Sequence, residues 1–347
     1  MSKHYQKLLI ILLAALAIPV ENAVGLKSFS PADKSKIELK SLAAQQTAVE
    51  KAALEIQSTQ NFKAHQLRGE SLIQIHYSPS GKYLITSASD GLAKLWTNSG
   101  KPIRTFQSKP LAMLFNARFS NDGQMIITAG YDGTARLWST SGQEIREFRG
   151  HRSAVSDAVF STDGKQIITS SDDGSTKIWR LAGQPISTIT RPGVTRNLAA
   201  SLDGKLIATT QDLGVITLIR PAGKVVAEIE TGQGRLNDVA FSTDGQRLVT
   251  AGFDGTARVW TTAGKSLAVL KVLSKGWVTG ADFSPNGEWV ATVSDDGELR
   301  LWNLSGKLLA SFRPNQGRLS SISFHPDGKQ LAATAYDGTV WLFKLTK

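Results

Sequence analysis

Apolar and polar positions along this chain follow three successive patterns. At the start, Lys3, His4 and Lys7 precede an apolar run from Leu8 to Ile18, which Pro19 breaks. That run is short of the roughly 20 residues needed to span a bilayer. A basic start, a short apolar core and a helix breaker describe a secretory signal, so residues 1–23 are expected to be a signal peptide or signal anchor. In the second pattern Ser30-Pro31-Ala32-Asp33 supplies a helix start. Leu42, Val49 and Ile56 then recur every seven residues, with Leu39, Gln46 and Ala53 as a companion row. This predicts an amphipathic helix or linker over residues 30–57, read as lying on the domain that follows. Oligomerisation through a short coiled-coil seam at residues 33–57 is the alternative. From residue 58 onward short β-branched clusters such as Gln166-Ile167-Ile168-Thr169 alternate with tight-turn pairs, the pattern of many short strands.

The turns of this third region are periodic. Asp90-Gly91 leads to Trp96, Asp132-Gly133 to Trp138, Asp173-Gly174 to Trp179, Asp254-Gly255 to Trp260 and Asp296-Gly297 to Trp302. Two copies are degenerate, Leu213-Gly214 leading to Ile219 and Asp337-Gly338 to Phe343. The anchor positions 96, 138, 179, 219, 260, 302 and 343 lie 40 to 42 residues apart. Each copy carries a second such turn, from Ser80-Gly81 to Asp327-Gly328, and six carry a third glycine after the anchor. Such pairs supply the positive backbone angles that hairpins need. Three hairpins per copy divide each repeat into four strands.

These residues resemble the WD-repeat family over about residues 60–347. The resemblance implies an all-β fold, a seven-bladed β-propeller of four-stranded antiparallel blades, here preceded by the signal segment and one helix. It also implies a hydrogen-bonded set within each blade. Thr86, Thr128, Thr169, Thr250 and Thr292 stand four residues before their turn Asp, with the Trp in place. Of the family's Gly-His pairs, Gly150-His151 alone matches, so the set is read as a structural triad. The last copy stops after its third strand. Shifting Leu308–Phe312 back by 247 residues lands on Asn61–His65, so Gln60–Leu67 is expected to supply the missing outer strand. Lys94, Arg136, Lys177, Arg258 and Arg300, two before the anchors, are read as stems packed between blades with their charges reaching water.

Charge and residue inventory then narrow the function. The chain has no cysteine, which excludes disulfides, thiolate metal sites and a cysteine nucleophile. The net charge is +11, of which +9 falls on residues 58–347; a cationic body favours acidic partners. Of the five histidines His4 lies in the signal segment and the other four fall at unrelated points of the repeat, and no Gly-x-Ser-x-Gly elbow is present. No cofactor and no metal is expected. The family's usual binding face is lined at the start of the innermost strand and just before the turn Asp. Transferred position by position, this gives Arg196, Arg235, Phe253, Trp277, Arg318 and Tyr336 on one arc, with Met113, Phe115 and Tyr131 as an apolar patch in the second blade. The expected function is a non-catalytic scaffold that binds a protein partner, acidic in character, outside the cytoplasm. The alternatives are a receptor for an anionic polymer or lipid headgroup, and an enzyme acting in the central channel. Nucleic acid is not expected as the partner of an exported protein.

Overall fold

The Asp-Gly pairs act locally as their chemistry requires. At Asp173-Gly174 the carboxylate accepts the Ser175 N–H at 2.9 Å, and Gly174 takes a φ of 80°. A side chain on Gly174 would meet the carbonyl oxygens of Arg191 and Gly193 at 2.8 Å. The glycine is therefore required by the turn and by the loop packed on it.

The computed structural model describes residues 54–66, 72–107, 111–272, 276–314 and 317–346. These form seven four-stranded antiparallel sheets. The inner strands, which define blades one to seven, are Leu72–Tyr77, Leu114–Phe119, Val155–Phe160, Thr195–Ala200, Leu236–Phe241, Val278–Phe283 and Leu319–Phe324. Each packs on the inner strands of both neighbours, and the seventh returns to the first. The ring is closed.

The apolar core lies between blades because one blade has two apolar faces and cannot hide either alone. Ile127, Leu137 and Phe148 of blade two interlock with Val155, Phe160, Ile167 and Trp179 of blade three. At the seam, Ala332, Val340 and Leu342 meet Ile75, Leu84 and Trp96 of blade one. Polar clamps on the inner strands fasten the same joints. Asp157 accepts the Leu198 N–H at 2.8 Å, Asp238 that of Ala281 at 3.1 Å, and Asp282 that of Phe324 at 2.9 Å. Ser321 and Ser323 accept the N–H groups of Ile75 and Tyr77 across the seam.

The outer strand of blade seven comes from the N-terminal side of the propeller, with a corrected register. It is Glu55–Lys63, paired antiparallel with Thr339–Thr346, so that Phe62 faces Val340. The expectation of Gln60–Leu67 assumed equal loops. Phe62 lies ten residues before Leu72, whereas its counterpart Phe312 lies seven before Leu319. The longer loop moves the strand toward the N-terminus. Glu55, Ile56 and Gln57, assigned to the helical segment from sequence, are strand residues. The signal segment and the rest of the helical segment lie outside the described residues.

Candidate functional site

Backbone geometry pairs the two families of candidate positions. In blades two to seven the residue just before the turn pair, Leu213-Gly214 in blade four and Asp-Gly in the others, donates its N–H to the carbonyl of the residue preceding the inner strand. Tyr131 bonds to Met113, Asp172 to Ala154, Asp212 to Val194, Phe253 to Arg235, Asp295 to Trp277 and Tyr336 to Arg318, all at 2.9–3.1 Å. Each of these six blades thereby presents two adjacent side chains on one face of the ring.

On blades four to seven these side chains form a continuous ladder. Arg196 donates to Asp212 at 2.9 Å and approaches Asp172 of blade three at 3.5 Å. Arg235 lies 3.7 Å from the same Asp212, and its guanidinium sits 4.8 Å from the centre of the Phe253 ring. Phe253 stacks on Trp277 of the next blade, with centroids 4.6 Å apart and planes at 30°. Arg318 of blade seven then covers both Trp277 and Tyr336, at 5.3 and 4.9 Å. Guanidinium above an aromatic face is a favourable charge–quadrupole contact that also holds the side chain in place. Trp277 is nonetheless 40% exposed, so it does not simply fill the gap between blades. Burial and the neighbouring Arg196 charge lower the Arg235 pKa, and burial raises that of the Tyr336 phenol.

The blade-two patch shares a depression with this ladder. Phe115 and Tyr131 have ring centroids 6.3 Å apart, and Tyr131 is 65% exposed. Phe115, Arg196, Arg235 and Tyr336 come together around a small depression of about 190 Å³ at the channel mouth. Met113 is exposed.

The hydrogen-bonded sets inside the blades are structural, with two corrections. Trp96, Trp138, Trp179, Trp260 and Trp302 donate through Nε1 to Thr86, Thr128, Thr169, Thr250 and Thr292 at 2.9–3.1 Å. Histidine is not confined to His151. His65 bridges Asp90 at 2.8 Å and Thr86 at 3.0 Å, as His151 bridges Asp173 and Thr169. The long loop after His65 hid the match: it stands 25 residues before its Asp, against 22 for His151. The arginines two before the anchors do not send their charges to water. Arg136, Arg258 and Arg300 bind Asp132, Asp254 and Asp296 at 2.6–2.8 Å, and Arg136 is buried. In blade five Gln233 also accepts the Thr250 hydroxyl proton.

A second set was not singled out from sequence. His76, Arg118, Asp157, Asp238 and Asp282 lie on inner strands within the channel. Burial pushes Asp238 up to about 7 and Asp282 up to about 6. Burial, then the Arg118 charge, holds the His76 pKa well below the ordinary histidine value. The available signal was a charged side chain at the third or fifth inner-strand position, but polar residues such as Asn116 and Asn197 at equivalent positions masked it.

Closed ring, four-stranded blades and buried Trp–Thr pairs define a WD-type seven-bladed propeller. The family model for the WD domain, G-beta repeat, matches residues 56–97, 100–139, 142–180, 223–261, 264–303 and 306–344, and the chain belongs to this family. The matches leave out the degenerate fourth blade. The chain is 53% identical over 298 residues to an uncharacterized WD repeat-containing protein of Synechocystis sp., covering 86% of this chain and 89% of that protein. It is 56% identical over 273 residues to another WD repeat-containing protein of the same organism, covering 79% and 83%. Propellers of this family are generally non-catalytic platforms for protein interaction.

Proposed function

We propose that the protein is a non-catalytic scaffold outside the cytoplasm, and that it binds an acidic segment of a protein partner on the ladder from Arg196 to Tyr336. The observation that carries this reading is Trp277, exposed yet stacked on Phe253 and covered by Arg318. Trp, Tyr and Arg are the residues that dominate interface energies. Here they are held in place by one another, so little side-chain entropy is lost on binding. Arg318 lies 4.0 Å from Asp295 and Arg235 3.7 Å from Asp212, beyond a strong hydrogen bond. Both can take a carboxylate from a partner. Export is supported by the basic start and apolar run of residues 3–18.

The test is affinity capture with Arg235, Trp277 and Arg318 all replaced by alanine. Since each interface anchor of this kind contributes about 2 kcal/mol or more, the partner recovered by the native protein should be lost. Undiminished recovery by a variant that melts like the native protein would remove the ladder from consideration. Capture that requires lipid or wall polymer rather than protein would favour an anionic-polymer receptor.

A further inference from the structure

The inner strands run from the ladder's mouth of the channel to the opposite mouth, where a larger cavity opens. It measures about 700 Å³ and is lined by the last residues of the inner strands and the turns that follow them. This is the size range of small-molecule sites. Phe119, Phe241, Phe283 and Phe324 provide apolar walls, and Leu202 and Pro285 stand at the rim. Of the lining residues only Arg118 and Asp282 carry a full charge. His76 is kept neutral by burial and by Arg118.

Three polar atoms of this lining are buried without a hydrogen-bond partner among the described residues: His76 Nε2, Tyr77 Oη and Arg118 Nε. Tyr77 as a whole is only 8% exposed. Arginine Nε can only donate, and the Tyr77 phenol stays protonated because burial and Asp327 raise its pKa. The guanidinium is otherwise held at one end, its Nη2 donating to Asp157 and to the Leu198 carbonyl, both at 3.3 Å. Asp282 differs: it already accepts the Phe324 N–H and its own neighbour's backbone N–H. Two of the three unmet atoms, Arg118 Nε and the Tyr77 hydroxyl, can be met by an acceptor; neutral His76 carries a single ring proton, so its Nε2 can serve in either sense. A buried donor on a charged group left unpaired is costly, and an acceptor that satisfies it binds correspondingly well.

We infer that this cavity binds a small organic acid, its carboxylate on the free edge of Arg118 and its hydrocarbon or aryl body along the phenylalanine walls. The site is separate from the ladder and does not depend on the protein-binding reading.

Calorimetric titration of the full-length protein with hexanoate, hexylamine and 1-hexanol tests the inference, because the three share one apolar body. Hexanoate should bind saturably and about tenfold or more tightly than either of the others, the value of one hydrogen bond to a charged group. Arg118→Gln should remove that preference. Because Arg118 also touches Asp157, Leu202→Trp at the exposed rim serves as a second variant and should weaken hexanoate by obstruction. Arg235→Ala, at the other mouth, should leave it unchanged. Equal binding of the three probes, preference for the amine, no binding at all, or full hexanoate affinity in both Arg118→Gln and Leu202→Trp would overturn the inference.

Discussion

Six of the seven blades carry an Asp at the turn before the anchor strand, and that carboxylate needs a partner. Blades one and three use His65 and His151, and both have a lysine two residues before the Trp. Blades two, five and six lack the histidine and place Arg136, Arg258 and Arg300 at that position instead. In blade seven Lys63 reaches Asp337 from the closing strand. Arg136 is the most buried of these and also binds Glu147 at 3.0 Å. Its removal leaves the part-buried Asp132 without a charged partner, while Glu147 keeps Arg149. Arg136→Ala should therefore lower unfolding free energy by about 3 kcal/mol, whereas Arg313→Ala, with 58% of the side chain exposed, should cost less than about 1 kcal/mol. Denaturant titration of the two variants reads the contrast. The Trp–Thr pairs were legible because both partners sit at fixed offsets from one turn. The arginine substitution was not, because its meaning depends on whether a histidine arrives from a preceding loop. His65 escaped for the related reason that loop length is not encoded in the repeat.

At the scale of strands, the inner strands do two jobs, lining the channel and clamping neighbouring blades. Asp238 shows the cost. It bridges blades five and six, yet burial lifts its carboxyl to about 7, above the ordinary carboxylate range. The folded state then holds a proton that the unfolded chain releases near pH 4. Stability from this group therefore falls as pH rises from about 4 through about 7, and levels off only about one unit above that. His76 and His151, whose pKa values are lowered, act in the opposite sense, but only below the unfolded histidine value near 6.5. Between pH 6.5 and 8 the Asp238 contribution remains. Melting temperature should decline over that interval, and Asp238→Asn should flatten the decline; a decline equally steep in the variant would count against this assignment.

The closing strand is the other element-scale claim. Without Glu55–Lys63, strand Thr339–Thr346 becomes an unpaired edge and Phe62 no longer covers Trp96, now 4.9 Å away. Deleting residues 1–63 should lower the melting temperature by about 10 °C or more, the shift expected for a loss of several kcal/mol in a domain of this size. Unchanged melting by circular dichroism would refute ring closure by this strand. That a strand from this end closes the ring was legible by counting, because the last repeat stops one strand short. Its register was not, for want of the three extra loop residues.

At the scale of the molecule, the ring turns one repeated pair of positions into a band of side chains around one channel mouth. The sequence frame located the candidates of the ladder, since those positions repeat with the turns. Their order of contact was hidden, because Phe253 meets Trp277, and Arg318 meets Trp277, only across blade boundaries. The fourth blade illustrates how drift and use can coincide. It has lost its Asp and Trp, yet its Asp212 anchors Arg196 and lies 3.7 Å from Arg235.

The most direct test of the binding face is site-specific photo-crosslinking. A photo-reactive phenylalanine analogue is placed singly at Trp277 on the ladder, at Leu202 on the opposite mouth and at Ile145 on the outer edge. Covalent capture of the protein partner is expected from Trp277 and none from Ile145 or Leu202. Capture from Ile145 or Leu202 with none from Trp277 would contradict it.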